Sequence, residues 1–222
     1  MRHRLLTVLA AWLFVVANTN AEIMVFDFEG TAGTDLDGMA SGTTSVTSGG
    51  ITLTLTATAS TNGTFNLTGT GFGINTAGSG DDTDAFDGQL ATESLSFSVS
   101  SNVALSSLSL VSLEFDRFTD TDDDRGSITA NGSFLGGFTG GVFDDDDLNG
   151  SNQLILNETG FSTSTSFDLL HAGTGTGGTT SGFGLEFITF EATAAAVPEP
   201  SSLLLMNAGL AAIWIRRRRK AA

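Results

Sequence analysis

Three groups of carboxylates punctuate this 222-residue sequence: Asp81, Asp82, Asp84 and Asp87; Asp120, Asp122, Asp123 and Asp124; and Asp144 to Asp147. Closely spaced carboxylates in turns can supply the six to eight oxygens that Ca²⁺ takes. The best local match is Asp145-x-Asp147-x-Asn149-Gly150, the first half of a D-x-[DN]-x-[DN]-G loop with glycine at its sharp turn. The second half departs from that pattern. Leu156 stands where the loop needs a bidentate glutamate, and Glu158 comes two residues too late. The flanks read as strands, which excludes a helix–loop–helix calcium hand. Asp120-x-Asp122-x-Asp124 has the spacing, but Arg125 replaces the glycine; Asp82, Asp84 and Asp87 form a third, looser set. Ca²⁺ is the one cofactor these residues suggest. The competing expectation is that acidic turns solubilise a β protein, discourage edge-to-edge pairing and suit salty surroundings.

Catalytic chemistry finds little material. The chain has no cysteine, so thiol nucleophiles, disulfides and cysteine metal sites are excluded. Residues 22–196 contain no lysine and one histidine, His171, which reads as a surface residue. No G-x-S-x-G elbow occurs. The expectation is a protein that is not an enzyme, with a secreted hydrolase as the least supported alternative. Sugar platforms use Trp or Tyr, and residues 22–196 have neither. A calcium-dependent carbohydrate-binding module remains the alternative to a structural or adhesive role. Nucleic acid is excluded as a partner, because the net charge is −16 and phosphate binding needs Lys and Arg.

The charge divides the chain in three. Residues 22–196 hold 24 of the 25 acids and only two arginines, a net of −22. Residues 1–21 begin with Arg2 and Arg4, continue through an apolar run from Leu5 to Ala17, and end in Thr19-x-Ala21. That is the order of a secretory signal peptide, with cleavage expected after Ala21. Residues 197–222 open with Val197-Pro198-Glu199-Pro200 and continue with an apolar segment, expected as a short transmembrane helix at about 203–215. Arg216, Arg217, Arg218, Arg219 and Lys220 follow, a cluster that holds its end on the cytoplasmic side of a membrane. The span is marginal in length, which suits transient anchoring.

This order of Pro-Glu-Pro, apolar segment and terminal arginines resembles the PEP-CTERM sorting signal of Gram-negative bacteria, over about the last 26 residues. The resemblance implies an exosortase-type transpeptidase as partner, transient residence in the inner membrane, and delivery to the cell surface or beyond, often beside exopolysaccharide. Asn207 departs from the Gly or Leu usual in that family. A second likeness joins Gly71-Phe-Gly-Ile-Asn, the Asp81–Asp87 stretch and Glu93-Ser-Leu-Ser-Phe. It resembles a segment in the bodies of other proteins with such tails and implies no activity.

The elements that must carry these groups are strands. Ile51-Thr-Leu-Thr-Leu-Thr-Ala and Leu95-Ser-Phe-Ser-Val-Ser alternate with period two. So does Leu108 to Phe115, with a slip near Val111 of the kind that marks a β-bulge. Further strands are expected at 24–28, 65–67, 128–130, 134–138, 153–156, 165–169 and 183–192. Residues 173–182 read as a flexible glycine loop and 192–197 as a linker. Nine to eleven short antiparallel strands predict an all-β body at 22–196, a β-sandwich of jelly-roll type with phenylalanines from opposed sheets in its core.

Overall fold

In a strand, successive side chains face opposite ways, so alternating apolar and hydroxyl residues bury one face and wet the other. The computed structural model follows this rule where the sequence alternates. It describes residues 20–28, 36–60, 63–68, 71–76, 85–86, 92–116, 125–139, 152–172, 182–196 and 207–210. Asn20–Ala195 form one compact unit. Its described strands are β1 (Ala21–Asp27), β2 (Ser41–Ser48), β3 (Ile51–Ala59), β4 (Thr64–Thr68), β5 (Gly71–Asn75), β6 (Ser94–Ser101), β7 (Leu105–Asp116), β8 (Arg125–Ala130), β9 (Ser133–Thr139), β10 (Asn152–Glu158), β11 (Ser166–His171) and β12 (Gly184–Ala194). Ile51, Leu53, Leu55 and Ala57 are buried on β3, as are Leu95, Phe97 and Val99 on β6.

The strands form two six-stranded sheets, and every pairing between them is antiparallel. One runs β10-β7-β12-β5-β4, with β1 also on β12; the other runs β2-β3-β6-β11-β8-β9. β12 is the centre of the first sheet. It pairs with β7 from Gly184 to Ala194, with β1 from Phe187 to Thr193, and with β5 at Leu185. Rings from the two sheets meet in one core. Phe115 of β7 lies 4.4 Å from Phe138 of β9, and Phe167 of β11 lies 5.8 Å from Phe190 of β12. Burial of each such ring contributes about 2–3 kcal/mol.

The slip near Val111 is a bulge. Ser112 faces Thr189 and Leu110 faces Phe190, which leaves Val111 without an opposite residue on β12. Three expectations need correction. β2 and β5 are strands beyond those expected, which brings the described number above eleven. β12 continues through Ala192, Thr193 and Ala194, where a linker was expected, because these residues complete the ladder with β7 and β1. Phe134 is 69% exposed, not core. A register shift between Ile128/Gly136 and Thr129/Phe134 turns its side chain to the outer face.

Of the expected span at 203–215, only 207–210 are described, and they are helical and exposed. Among the described residues no helix is long and apolar enough to cross a membrane.

Candidate functional site

The ladder registers sort the connections between strands by end. Asp116 faces Gly184, Phe115 faces Asn152, Thr139 faces Arg125, His171 faces Gly126, and Leu170 faces Ser94. The connections 76–93, 117–124, 140–151 and 172–183 therefore all leave from one end of the body. The turns 49–50, 102–104 and 131–132 lie at the other, with Ala21 opposite Thr193. Asp82, Asp84 and Asp87, then Asp120, Asp122 and Asp124, then Asp145, Asp147 and Asn149 each fall in a connection of the first kind. These residues themselves lie outside the described residues, as do Val197–Pro200, Arg216–Lys220 and residues 1–19. What the fold brings together is the strand ends that hold the three acidic connections.

Beneath those connections the core ends in buried polar side chains. Glu93, His171 and Glu186 are each 5% exposed or less. Each is in phase with the inward residues of its strand: Glu93 with Leu95 and Phe97, His171 with Phe167 and Leu169, Glu186 with Ile188 and Phe190. Thr76 Oγ1 donates to Glu93 Oε1 at 2.7 Å, and the His171 backbone N–H donates to the Glu93 carbonyl at 3.0 Å. The His171 ring lies 6.0 Å from that of Phe183, tilted by 30°. His171, expected at the surface, is thus buried, because alternation along β11 turns it inward beside Leu169. Glu186 sits at a register shift, where Leu185 faces Phe115 and Phe187 faces Glu114. The carbonyl of Glu186 accepts from Phe28 N–H at 2.8 Å.

Sequence reading passed over Glu93 and Glu186, although the signal was their phase within apolar alternation. Their carboxylates carry oxygens of the kind a hard cation takes. Among the described residues alone, no three metal-ligating side chains come together. At the opposite end, a shallow depression is lined by Leu105, Ser107, Leu108, Phe161, Ser162 and Thr163. Its hydroxyls and apolar groups offer hydrogen bonds but no acid–base pair.

No curated protein matches the chain. A family model described as the PEP-CTERM protein-sorting motif matches residues 196–220. Residues 22–195 of the body stand outside that match, and the C-terminal segment of this chain is a PEP-CTERM sorting motif, the mark of an exosortase substrate that is exported and transiently anchored through its tail.

Proposed function

We propose that this chain is a cell-surface or extracellular-matrix protein with a non-catalytic structural or adhesive body, delivered through its sorting motif after an N-terminal signal peptide is removed. The match of residues 196–220 to the sorting motif carries the reading. The body is read as a jelly-roll sandwich. What supports this is a nested order of pairing: β5 with β12, β6 with β11, β7 with β10 and β8 with β9. The closed phenylalanine core and the burial of His171 support a body without a catalytic base. Replacement of Pro198-Glu199-Pro200 by alanines should leave the full chain in the membrane fraction of an exosortase-positive host. The unaltered chain should appear at the surface or in the medium. Equal distribution of the two would refute the reading.

A second reading has an observation of its own. Four connections, three of them aspartate-rich, leave the same end of the body above Glu93 and Glu186. That arrangement suits a calcium-dependent carbohydrate-binding module of the exopolysaccharide-associated kind. Millimolar Ca²⁺ should then raise the melting temperature by mass action. Replacement of Asp145 and Asp147 by Asn, or of Asp120 and Asp122, should abolish part of the rise. A glycan array that stays blank with and without calcium removes the carbohydrate half of the reading.

A further inference from the structure

β2 is an edge strand whose main-chain groups have a definite direction. Among the described residues its strand partner is β3, with unbroken register from Ser41 opposite Thr58 to Ser48 opposite Ile51. On β3, the Thr52 N–H donates to Asn102 Oδ1, the Thr52 carbonyl accepts from Asn102 N–H, and the Thr54 carbonyl accepts from Ser100 Oγ. Thr52 and Thr54 therefore turn their main-chain groups toward β6. Bonded and non-bonded pairs alternate in an antiparallel ladder, and side chains approach more closely in the non-bonded ones. The hydroxyl contacts Ser45–Thr54 at 2.8 Å and Thr47–Thr52 at 2.9 Å fit non-bonded pairs. By this period Ser41, Thr43, Ser45 and Thr47 aim their N–H and C=O groups off the outer side of β2.

Natural sheets guard such an edge with charge, proline, bulges or a covering segment. The other edges of this body carry those devices. β4 is covered by main-chain bonds from Gly38 to Phe65 and from Phe65 to Met39. β10 is bulged between Ile155 and Glu158, with Asn157 at φ 51°. β9 has a register shift between Gly136 and Phe134, and β1 carries Glu22 and Asp27. β2, Ser-Gly-Thr-Thr-Ser-Val-Thr-Ser, has no charge, no proline and no bulge. It also opens the longest uncharged stretch of a strongly acidic body, Gly38 to Gly80. Elsewhere like charges oppose the approach of a second acidic copy; along β2 the strand itself contributes none. β1 lies close to β2 on its inward-facing side, where Glu22 accepts from Ser48 Oγ.

We propose that β2 is a self-association edge, along which two copies of this chain pair antiparallel about a twofold axis near Ser45 and join their hydroxyl-faced sheets into one. Such a contact is isologous and closes on itself. It is strand addition in which main-chain bonds supply the affinity. The pair sets the two ends from which the chains leave, near Ala21 and Ala195, at opposite extremes, the geometry of a bridge between two surfaces. This deepens the adhesive reading, on which its biological meaning rests.

The full chain in mild detergent tests the contact by sedimentation velocity. Unaltered chain should shift from monomer to dimer as its concentration rises. Ser45→Pro removes a donor that points off the edge and should leave a monomer with the same melting temperature. Because the chain has no cysteine, Ser45→Cys with a short thiol crosslinker gives a second measurement, and crosslinked dimer is expected there but not for Thr129→Cys on β8. Unaltered chain that stays monomeric, or Ser45→Pro chain that still dimerises, overturns the proposal; a folded Ser45→Cys chain that never crosslinks does so too. Each result leaves the sorting motif untouched, so failure here is distinct from failure of the export reading.

Discussion

Phe183 touches Phe86 at 5.3 Å, Phe115 at 5.3 Å, Phe138 at 4.8 Å and the His171 ring at 6.0 Å. It is the ring that joins both sheets to the connection-bearing end of the core. Truncation to alanine removes all four contacts and leaves a cavity, at a cost of about 3–5 kcal/mol. The measured outcome should be a melting temperature lower by roughly 10 °C, since each kcal/mol moves a domain of this size by roughly 2–4 °C. Phe134, exposed on β9, is the matched control, and its alanine variant should melt within a degree or two of the unaltered chain. Gly49 presents a different constraint. Its φ is +55°, in the left-handed region that costs other residues about 1–2 kcal/mol. A Cβ there would also collide with the Glu22 side chain. Gly49→Ala should lower the stability of the β2–β3 turn, read as a lower denaturation midpoint.

The strands show which parts of the fold the sequence made readable. Where one face is apolar and the other hydroxyl, as on β3 and β6, the period was visible and the element is there. The Val111 slip was visible too, because two apolar residues in succession break a period of two. β2 and β5 escaped for opposite reasons. β2 has hydroxyls on both faces with Val46 alone as an apolar inward residue, whereas β5 is buried on both faces, so Gly71, Phe72, Gly73 and Ile74 show no alternation. The end-to-end gathering of the acidic connections was not readable at all. It follows from which strand pairs with which, and pairing is non-local. The direction of β2's main chain makes a prediction for hydrogen exchange. Amides of Thr43, Ser45 and Thr47 should exchange fast in dilute solution, and those of Thr44 and Val46 slowly. Uniform protection along β2 in the monomer would contradict the assigned alternation.

Taken as a molecule, the body is highly acidic, the strand ends that hold its aspartate-rich connections lie at one end, and Ala21 and Ala195 lie at the other. Moderate NaCl should raise its melting temperature, because screening relieves like-charge repulsion across distances beyond ~8–10 Å. At equal ionic strength, Ca²⁺ should raise it further than NaCl does if the aspartate connections take the ion. Equal effects of the two salts would reduce the acidic end to a solubilising surface.

The place of β12 has a consequence for timing. It is the last strand of the body, yet it is the only described strand that holds β1, β5 and β7 together. A chain threaded across a membrane from its N-terminus delivers β1 first and residues 184–194 last. Through nearly all of that passage the first sheet has no middle, and β1 waits for a partner that is still on the other side. In such a passage the first sheet can be completed only when the segment next to the Pro-Glu-Pro motif has crossed. A chain stopped before Gly184 should accordingly show no cooperative unfolding and should yield to protease across β1 and β7, while the full chain resists.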